Sequence, residues 1–154
     1  MGRNPMIFRE PPENFQPKFY VVSCFIEHDG KFVMLLRNDD KAEGNKWGMP
    51  AGKRDVGESA LGALIREVKE ETSIDLPAER IGRSTPVYVR YPDYDFVFHI
   101  FHTAIDRRPD VIINHDEHKD FRWVTPDEAY EIGMVLDGDQ CVELFYGPKV
   151  QQKH

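Results

Sequence analysis

The chain has 154 residues, 40% of them apolar, and a formal net charge of −7. That is enough for one domain with a proper core and excludes intrinsic disorder. The acidic balance argues against a surface built to grip nucleic acid or anionic membrane, but leaves room for a small phosphorylated ligand met by local positive charge or a bound cation.

Residues 1–17 are proline-rich (Pro5, Pro11, Pro12, Pro17) and read as an extended N-terminal arm, with a single domain over 18–154. "KFYVVSCFIE" and "KFVMLLR" have the β-branched and aromatic bias of strands, and Asp29-Gly30 between them is a hairpin signal. After the polar loop "NDDKAEGNK", extended structure resumes at "WGMP". Helical periodicity begins near Glu58, with Ala60, Leu61, Leu64, Ile65 and Val68 forming one apolar stripe to pack on a sheet. Two strands follow, around "STPVYVRY" and "DFVFHIFHTAI", joined by a "PDYD" turn, and then a short strand "FRWV". In "TPDE", Thr125 suits an N-cap, Pro126 the first turn and Glu128 the capping-box position. A last amphipathic helix covers "GDQCVELFY". The order of elements predicts an α+β sandwich. No apolar run approaches the ~20 residues of a membrane span, and the N-terminus lacks the apolar stretch of a signal peptide. Cys24 and Cys141 read as buried thiols rather than a disulfide framework. A soluble cytoplasmic protein is expected.

The segment "GKRDVGESALGALIREVKEETSI", Gly52 to Ile74, is the unusual one. A glycine-rich loop leads into a helix whose last turns carry Glu67, Glu70 and Glu71. At ~100° per residue, Glu67 lies ~40° from Glu71 and ~60° from Glu70, so the three share a face. They repel one another at the end of the helix whose dipole favours cations. Glu71 projects between Ala60 and Leu64, on the margin of the apolar stripe, where partial desolvation is costly without a positive partner. Arg66 reaches Glu70 by i,i+4 spacing, but one arginine cannot neutralise three acids. A hard divalent cation such as Mg²⁺ can, through oxygen ligands shared with substrate phosphates.

These residues resemble the Nudix box, G-x5-E-x7-R-E-U-x-E-E-x-G-U with U a bulky aliphatic. Gly52, Glu58, Arg66, Glu67, Val68, Glu70, Glu71 and Ile74 fill it in register, and only Ser73 departs, standing where the pattern has a second glycine. The upstream "WGMPAGK" and the order of strands extend the likeness over most of the chain. The resemblance implies a Nudix-type α/β/α sandwich with a mixed β-sheet between helices. It implies a hydrolase of a nucleoside diphosphate linked to another moiety, for example a nucleoside triphosphate cut to monophosphate and pyrophosphate. Sugar nucleotides, dinucleoside polyphosphates and capped RNA ends are the other substrate classes it allows, the acidic balance weighing against RNA. A non-catalytic nucleotide-sensing module is the rival on the same fold. Glu67, Glu70, Glu71 and the Ala51 carbonyl would bind Mg²⁺, with Mn²⁺ as the other candidate ion. Arg66 would orient a glutamate and Glu58 would brace loop and helix. Glu67 is the first candidate for general base and Glu117 the second. The partner is then a small nucleotide, with no membrane and no nucleic acid; a homodimer fits the habit of relatives. If Ser73 keeps a positive φ it costs roughly a kcal/mol, but the position carries no catalytic group.

Arg37 and Lys53 are candidates for substrate phosphates, with Lys41 and Lys46 behind them. Trp47 reads as core rather than a base stacker, and Tyr88, Tyr91, Tyr94 and Phe96 as sheet packing rather than a base clamp. His99 and His102, three apart on a strand, lie on opposite faces and make a poor joint metal site. His115 and His118 flank Glu117 in a loop that can line the pocket.

Overall fold

Asp29 and Gly30 turn the chain at φ of 53° and 78°, the left-handed pair that a tight hairpin needs. The computed structural model describes residues 6–135 and 138–147. Its strands are β1 (Met6–Phe8), β2 (Pro17–His28), β3 (Lys31–Arg37), β4 (Trp47–Gly48), β5 (Ala51–Lys53), β6 (Ile81–Arg90), β7 (Asp95–Ala104) and β8 (His118–Val124). Its helices are α1 (Ala60–Thr72), α2 (Pro126–Ala129) and α3 (Gly138–Tyr146), with one 3₁₀ turn at Ala78–Arg80.

All eight strands join one mixed sheet in the order β1-β6-β7-β2-β3-β4, with β5 added to β2 and β8 to β3. β2 and β7 run parallel from Pro17 to Glu27; β1–β6, β6–β7 and β3–β8 are antiparallel. The β2–β3 hairpin is paired only beside its turn, at Glu27↔Phe32 and His28↔Lys31. Beyond that it splays. β5 caps β2 at Val21–Ser23, while β4 takes β3 at Leu35 and Leu36. This fork in the sheet makes the room for a pocket.

Period-2 alternation sends the two faces of β2 to two cores. Val22, Cys24 and Ile26 meet Leu64 and Val68 of α1 on one side; Phe25, with Phe32 and Ile100, meets Val142 and Phe145 of α3 on the other. The result is helix, sheet, helix: an α/β/α sandwich. Cys24 and Cys141 are both buried, and burial pushes the Cys24 thiol up, far from reactivity.

Some elements differ from their sequence reading for local reasons. α1 begins at Ala60 because Ser59 caps it, its Oγ accepting from the Gly62 N–H at 2.9 Å. Leu61 is 36% exposed and Ala63 takes the buried place; a helical side chain leans over the turn before it, and Leu61 has no such turn beneath it. "WGMP" breaks in two, because Pro50 has no N–H to give a ladder. β8 starts at His118 rather than Phe121, its charged residues hiding the alternation. The Thr125–Glu128 capping box forms as expected, with both reciprocal bonds present.

Of the arm expected over 1–17, residues 1–5 lie outside the described residues. Met6–Phe8 pair with Tyr88–Arg90 at the sheet edge, and the Gln16 N–H donates to Asp95 at 2.9 Å. Of the domain expected over 18–154, residues 136–137 and 148–154 lie outside the described residues. No helix among the described residues is long and apolar enough to cross a membrane.

Candidate active site

β5 and α1 meet where Gly52 passes the Glu67 side chain. A β-carbon on Gly52 would stand 2.0 Å from the Glu67 carboxyl carbon, so only glycine leaves that carboxylate where it is. Arg66 ties the loop to the helix. Its guanidinium donates to both Glu58 oxygens at 2.7 and 2.9 Å, to Glu67 at 2.9 Å, to Glu70 at 3.3 Å and to the Lys53 carbonyl at 3.2 Å. Glu58 also accepts from the Asp55 N–H at 2.9 Å. These bonds hold its carboxyl down at about 2, with Arg66 the main cause.

The three box acids are not equivalent. Glu70 is 55% exposed, but Glu67 and Glu71 are only 15% and 13% exposed. Burial pushes Glu71 up to about 8, against the pull of the Ala51 N–H, which donates to its Oε1 at 2.8 Å. Burial also raises Glu67, partly offset by Arg66. The position of Glu71 on the apolar margin thus has the consequence its sequence spacing implies.

His118 Nδ1 lies 4.0 Å from the other Glu71 oxygen, yet this is not an ion pair. Burial, then Arg37, holds His118 down at about 4 while Glu71 sits near 8. Without metal, both groups are therefore neutral near pH 7.

Among the described residues, no three His, Cys, Asp or Glu side chains are gathered as a ready cation cluster. The reason is visible: Arg66 holds Glu67 and Glu70, and the Ala51 N–H holds Glu71. The donors still fit a hard divalent cation. They are all oxygen, and two are desolvated carboxylates whose burial pushes both pKa values up.

Beside this cluster, in the fork of the sheet, is a cavity of about 350 Å³. β2 contributes Phe19, Val21 and Ser23, β3 contributes Met34 and Arg37, and Ala51 lies at the edge shared with the carboxylates. Tyr91, Tyr94 and Phe96 form one wall; Phe19 stacks on Phe96 with centroids 5.1 Å apart, and Tyr91 on Tyr94 at 5.2 Å. These tyrosines and Phe96 pack on the sheet, as read from sequence, and also line the cavity, which that reading did not expect. Gly138, Cys141 and Val142 of α3 close the far side.

Of the other residues singled out, Arg37 lines the cavity, with Nε donating to the Ala42 carbonyl at 2.7 Å. The Lys53 ammonium sits over the Phe19 ring, 4.4 Å from its centroid. Glu117 is 44% exposed and faces Lys41 at 3.7 Å, outside the buried carboxylate pair. Trp47 packs into the core on the cavity side, with Arg122 over its ring. His115 is an exposed turn residue whose carbonyl accepts from Asn38, whereas His118 is a buried strand residue lining the cavity. His99 and His102 do point apart: His99 stacks on Phe101 and His102 on Phe145. Sequence reasoning missed Ser23, although a serine between Val21 and Phe25 on an inward face was the available signal.

Residues 17–145 match the family model described as NUDIX domain. The chain is 29% identical over 127 residues to the CTP pyrophosphohydrolase of Escherichia coli K12, covering 81% of this chain and 89% of that protein. It is 24% identical over 141 residues to the dihydroneopterin triphosphate diphosphatase of the same strain, covering 84% and 92%. Among solved structures, a bifunctional NMN adenylyltransferase/ADP ribose pyrophosphatase from Francisella tularensis, complexed with AMP and a manganese ion, superposes with a TM-score of 0.70 at 23% identity. That match covers 86% of this chain and 42% of the other.

Proposed function

This chain belongs to the Nudix family and is a hydrolase of phosphoric anhydrides; we propose that its substrate is a nucleoside triphosphate, cut to the monophosphate and pyrophosphate. The observation that carries this reading is a junction. An aromatic-walled cavity of about 350 Å³, room for one nucleoside, is lined by Ala51 and His118, the two residues set against the buried Glu71 carboxylate. The names of the two bacterial relatives support it, since each denotes a single heterocycle bearing a triphosphate.

Glu67, Glu70, Glu71 and the Ala51 carbonyl would hold Mg²⁺ or Mn²⁺. When bound, the ion neutralises charge on the phosphate oxygens and sharpens the acidity of water. The chain's own groups do the rest. The cavity takes the base, so the triphosphate extends past Ala51 towards α1. Arg37 at the cavity edge, and Lys53 once it swings off the Phe19 ring, meet phosphate oxygens. Glu67 takes the proton from the attacking water; its pKa, raised by burial, suits a base better than an ordinary glutamate. Arg66 fixes the direction of that carboxylate, and Glu58 fixes Arg66. Glu117, exposed and facing Lys41, is the weaker candidate for the base.

The test is a panel of nucleoside triphosphates, sugar nucleotides and dinucleoside polyphosphates with Mg²⁺, read by chromatographic separation of the nucleotide products. Triphosphates should turn over best, and Glu67→Gln should lose at least about 100-fold in kcat. No turnover on any compound would sink the enzyme reading, and undiminished turnover in Glu67→Gln would sink the site assignment.

A further inference from the structure

Four rings of the cavity wall stand at three strand ends. Phe19 follows the start of β2, Tyr91 follows the end of β6, and Tyr94 and Phe96 flank the first residue of β7. Strand ends fray, whereas stacked rings need a fixed spacing. One carboxylate ties all three ends. Asp95, the first residue of β7, accepts from Arg90 Nε at 2.8 Å on one oxygen. Its other oxygen accepts from Arg90 Nη2 at 3.1 Å and from the Gln16 N–H at 2.9 Å. Arg90 is the last residue of β6, and Gln16 directly precedes β2. The same guanidinium reaches the Glu13 carbonyl at 3.2 Å, which draws the arm into the tie.

Alternation puts this tie behind the wall. Phe96 and Phe98 line the cavity, so Asp95 and its cross-strand partner Arg90 fall on the other face of the sheet, and neither lines the cavity. The register of β2 shows why a tie is needed there. Pro17 pairs with Asp95 and Tyr20 with Val97, three steps on β2 against two on β7. The extra residue makes a bulge over Lys18 and Phe19, and a bulge re-aims the side chains it carries. Pro17 has no N–H to give the ladder, and the Gln16 N–H on Asp95 stands in for it. Stability alone does not call for an ion pair at this place. Asp95 is 9% exposed, and desolvation of such a carboxylate largely offsets its attraction to Arg90. What the pair supplies is geometry, since a two-pronged guanidinium–carboxylate contact fixes both distance and angle.

We propose that Asp95 is a positioning residue for nucleotide binding: through Arg90 and Gln16 it holds Phe19, Tyr91, Tyr94 and Phe96 in their stack without touching the ligand. The proposal rests on the nucleotide reading of the cavity. Its effect belongs to binding and not to the chemical step, because the box carboxylates stand on α1, away from this end of the sheet.

The experiment compares wild type with Asp95→Ala by proton NOEs among the rings and by steady-state kinetics with Mg²⁺ on the best of the four common nucleoside triphosphates. In Asp95→Ala the Phe19–Phe96 and Tyr91–Tyr94 contacts should be lost, while the Phe25–Phe32 contact deeper in the same core persists. KM should rise about tenfold with kcat within about twofold of wild type. Asp95→Asn, which still accepts from Gln16, should lie between. Phe96→Leu should also raise KM, and the two changes together should raise it by less than the product of their separate factors, because both act through one wall. Should Asp95→Ala fold poorly, Arg90→Lys carries the test: it keeps the charge, loses the two-pronged contact and should show the same split in weaker form. Ring contacts unchanged in the variant overturn the proposal. So does a KM that stays put when they are lost, or a fall in kcat alone, which is the mark of a merely structural role. A wild type that turns over none of the four overturns the nucleotide reading, and the ring contacts then decide by themselves whether Asp95 holds the wall.

Discussion

A methyl group on Gly52 would collide with a carboxylate, not with backbone. Glu67 can swing away, so Gly52→Ala should leave the melting transition within about 1 kcal/mol of wild type. The displaced carboxylate is the proposed base, and a misplacement of about an ångström there should cost on the order of 100-fold in kcat/KM. An unchanged rate would show that Glu67 does not need its observed place. Glu71 makes the opposite kind of prediction. Below its ordinary value of 4.5 it is protonated whether the chain is folded or not. Above that the unfolded chain ionises, while the folded one holds its proton to about 8. The folded state binds more protons across this window, so metal-free stability should fall as pH rises from about 4.5 to 8 and then level off. Each pKa unit is worth roughly 1.4 kcal/mol, giving a total on the order of a few kcal/mol. Glu71→Gln keeps the carbonyl oxygen that accepts from Ala51 but cannot ionise. In EDTA it should flatten that slope and be more stable than wild type at pH 8, while its Mg²⁺ affinity falls. Denaturant melts at pH 5.5 and 8 check both; a clear loss of metal-free stability at pH 8 would make Glu71 structural.

The box helix is held at both ends by different devices. At its start Ser59 caps; at its end Ser73 adopts φ 65°, ψ 13°, with its N–H donating to the Lys69 carbonyl at 3.0 Å. The geometry that a glycine would supply is therefore kept by a serine, which bears the left-handed strain. The Ser73 hydroxyl recovers part of it by donating to the Ile112 carbonyl at 3.2 Å. Ser73→Gly should raise stability by roughly 0.5–1 kcal/mol, measured by chemical denaturation, with kcat/KM unchanged. A loss of stability would mean the Ile112 bond outweighs the strain. Elements such as this helix were legible in the sequence because period, cap and acid spacing are all local. β8 was legible only in part, since His118, Lys119 and Asp120 disguise a strand whose partner, β3, lies some 80 residues away. The pocket wall was the least legible. Tyr91 and Phe96 look like any sheet aromatics until the tertiary fold sets them beside Phe19.

At the scale of the molecule, the sandwich itself followed from the order of elements, but the splayed hairpin did not. Nothing local in "KFVMLLR" says that it leaves β2 after two pairs; that is decided by β4 and β5 competing for the freed edges. Those two strands are only two and three residues long, too short to be stable alone. They are joined through Pro50, whose carbonyl accepts from the Cys24 N–H at a long 3.4 Å. Such a wedge is expected to open locally well below the cost of global unfolding. Its opening would release Ala51 from Glu71 and expose the Ser23 side of the cavity in the same event. Amide exchange should accordingly treat Ala51, Lys53 and Cys24 as one unit, faster than the β2–β7 ladder, and nucleotide should slow that whole unit together. Separate rates for these amides would mean independent parts. The short wedge thus makes the Glu71 carboxylate and the Ser23 hydroxyl, on either side of β5, a single thermodynamic hinge, so that what steadies one steadies the other.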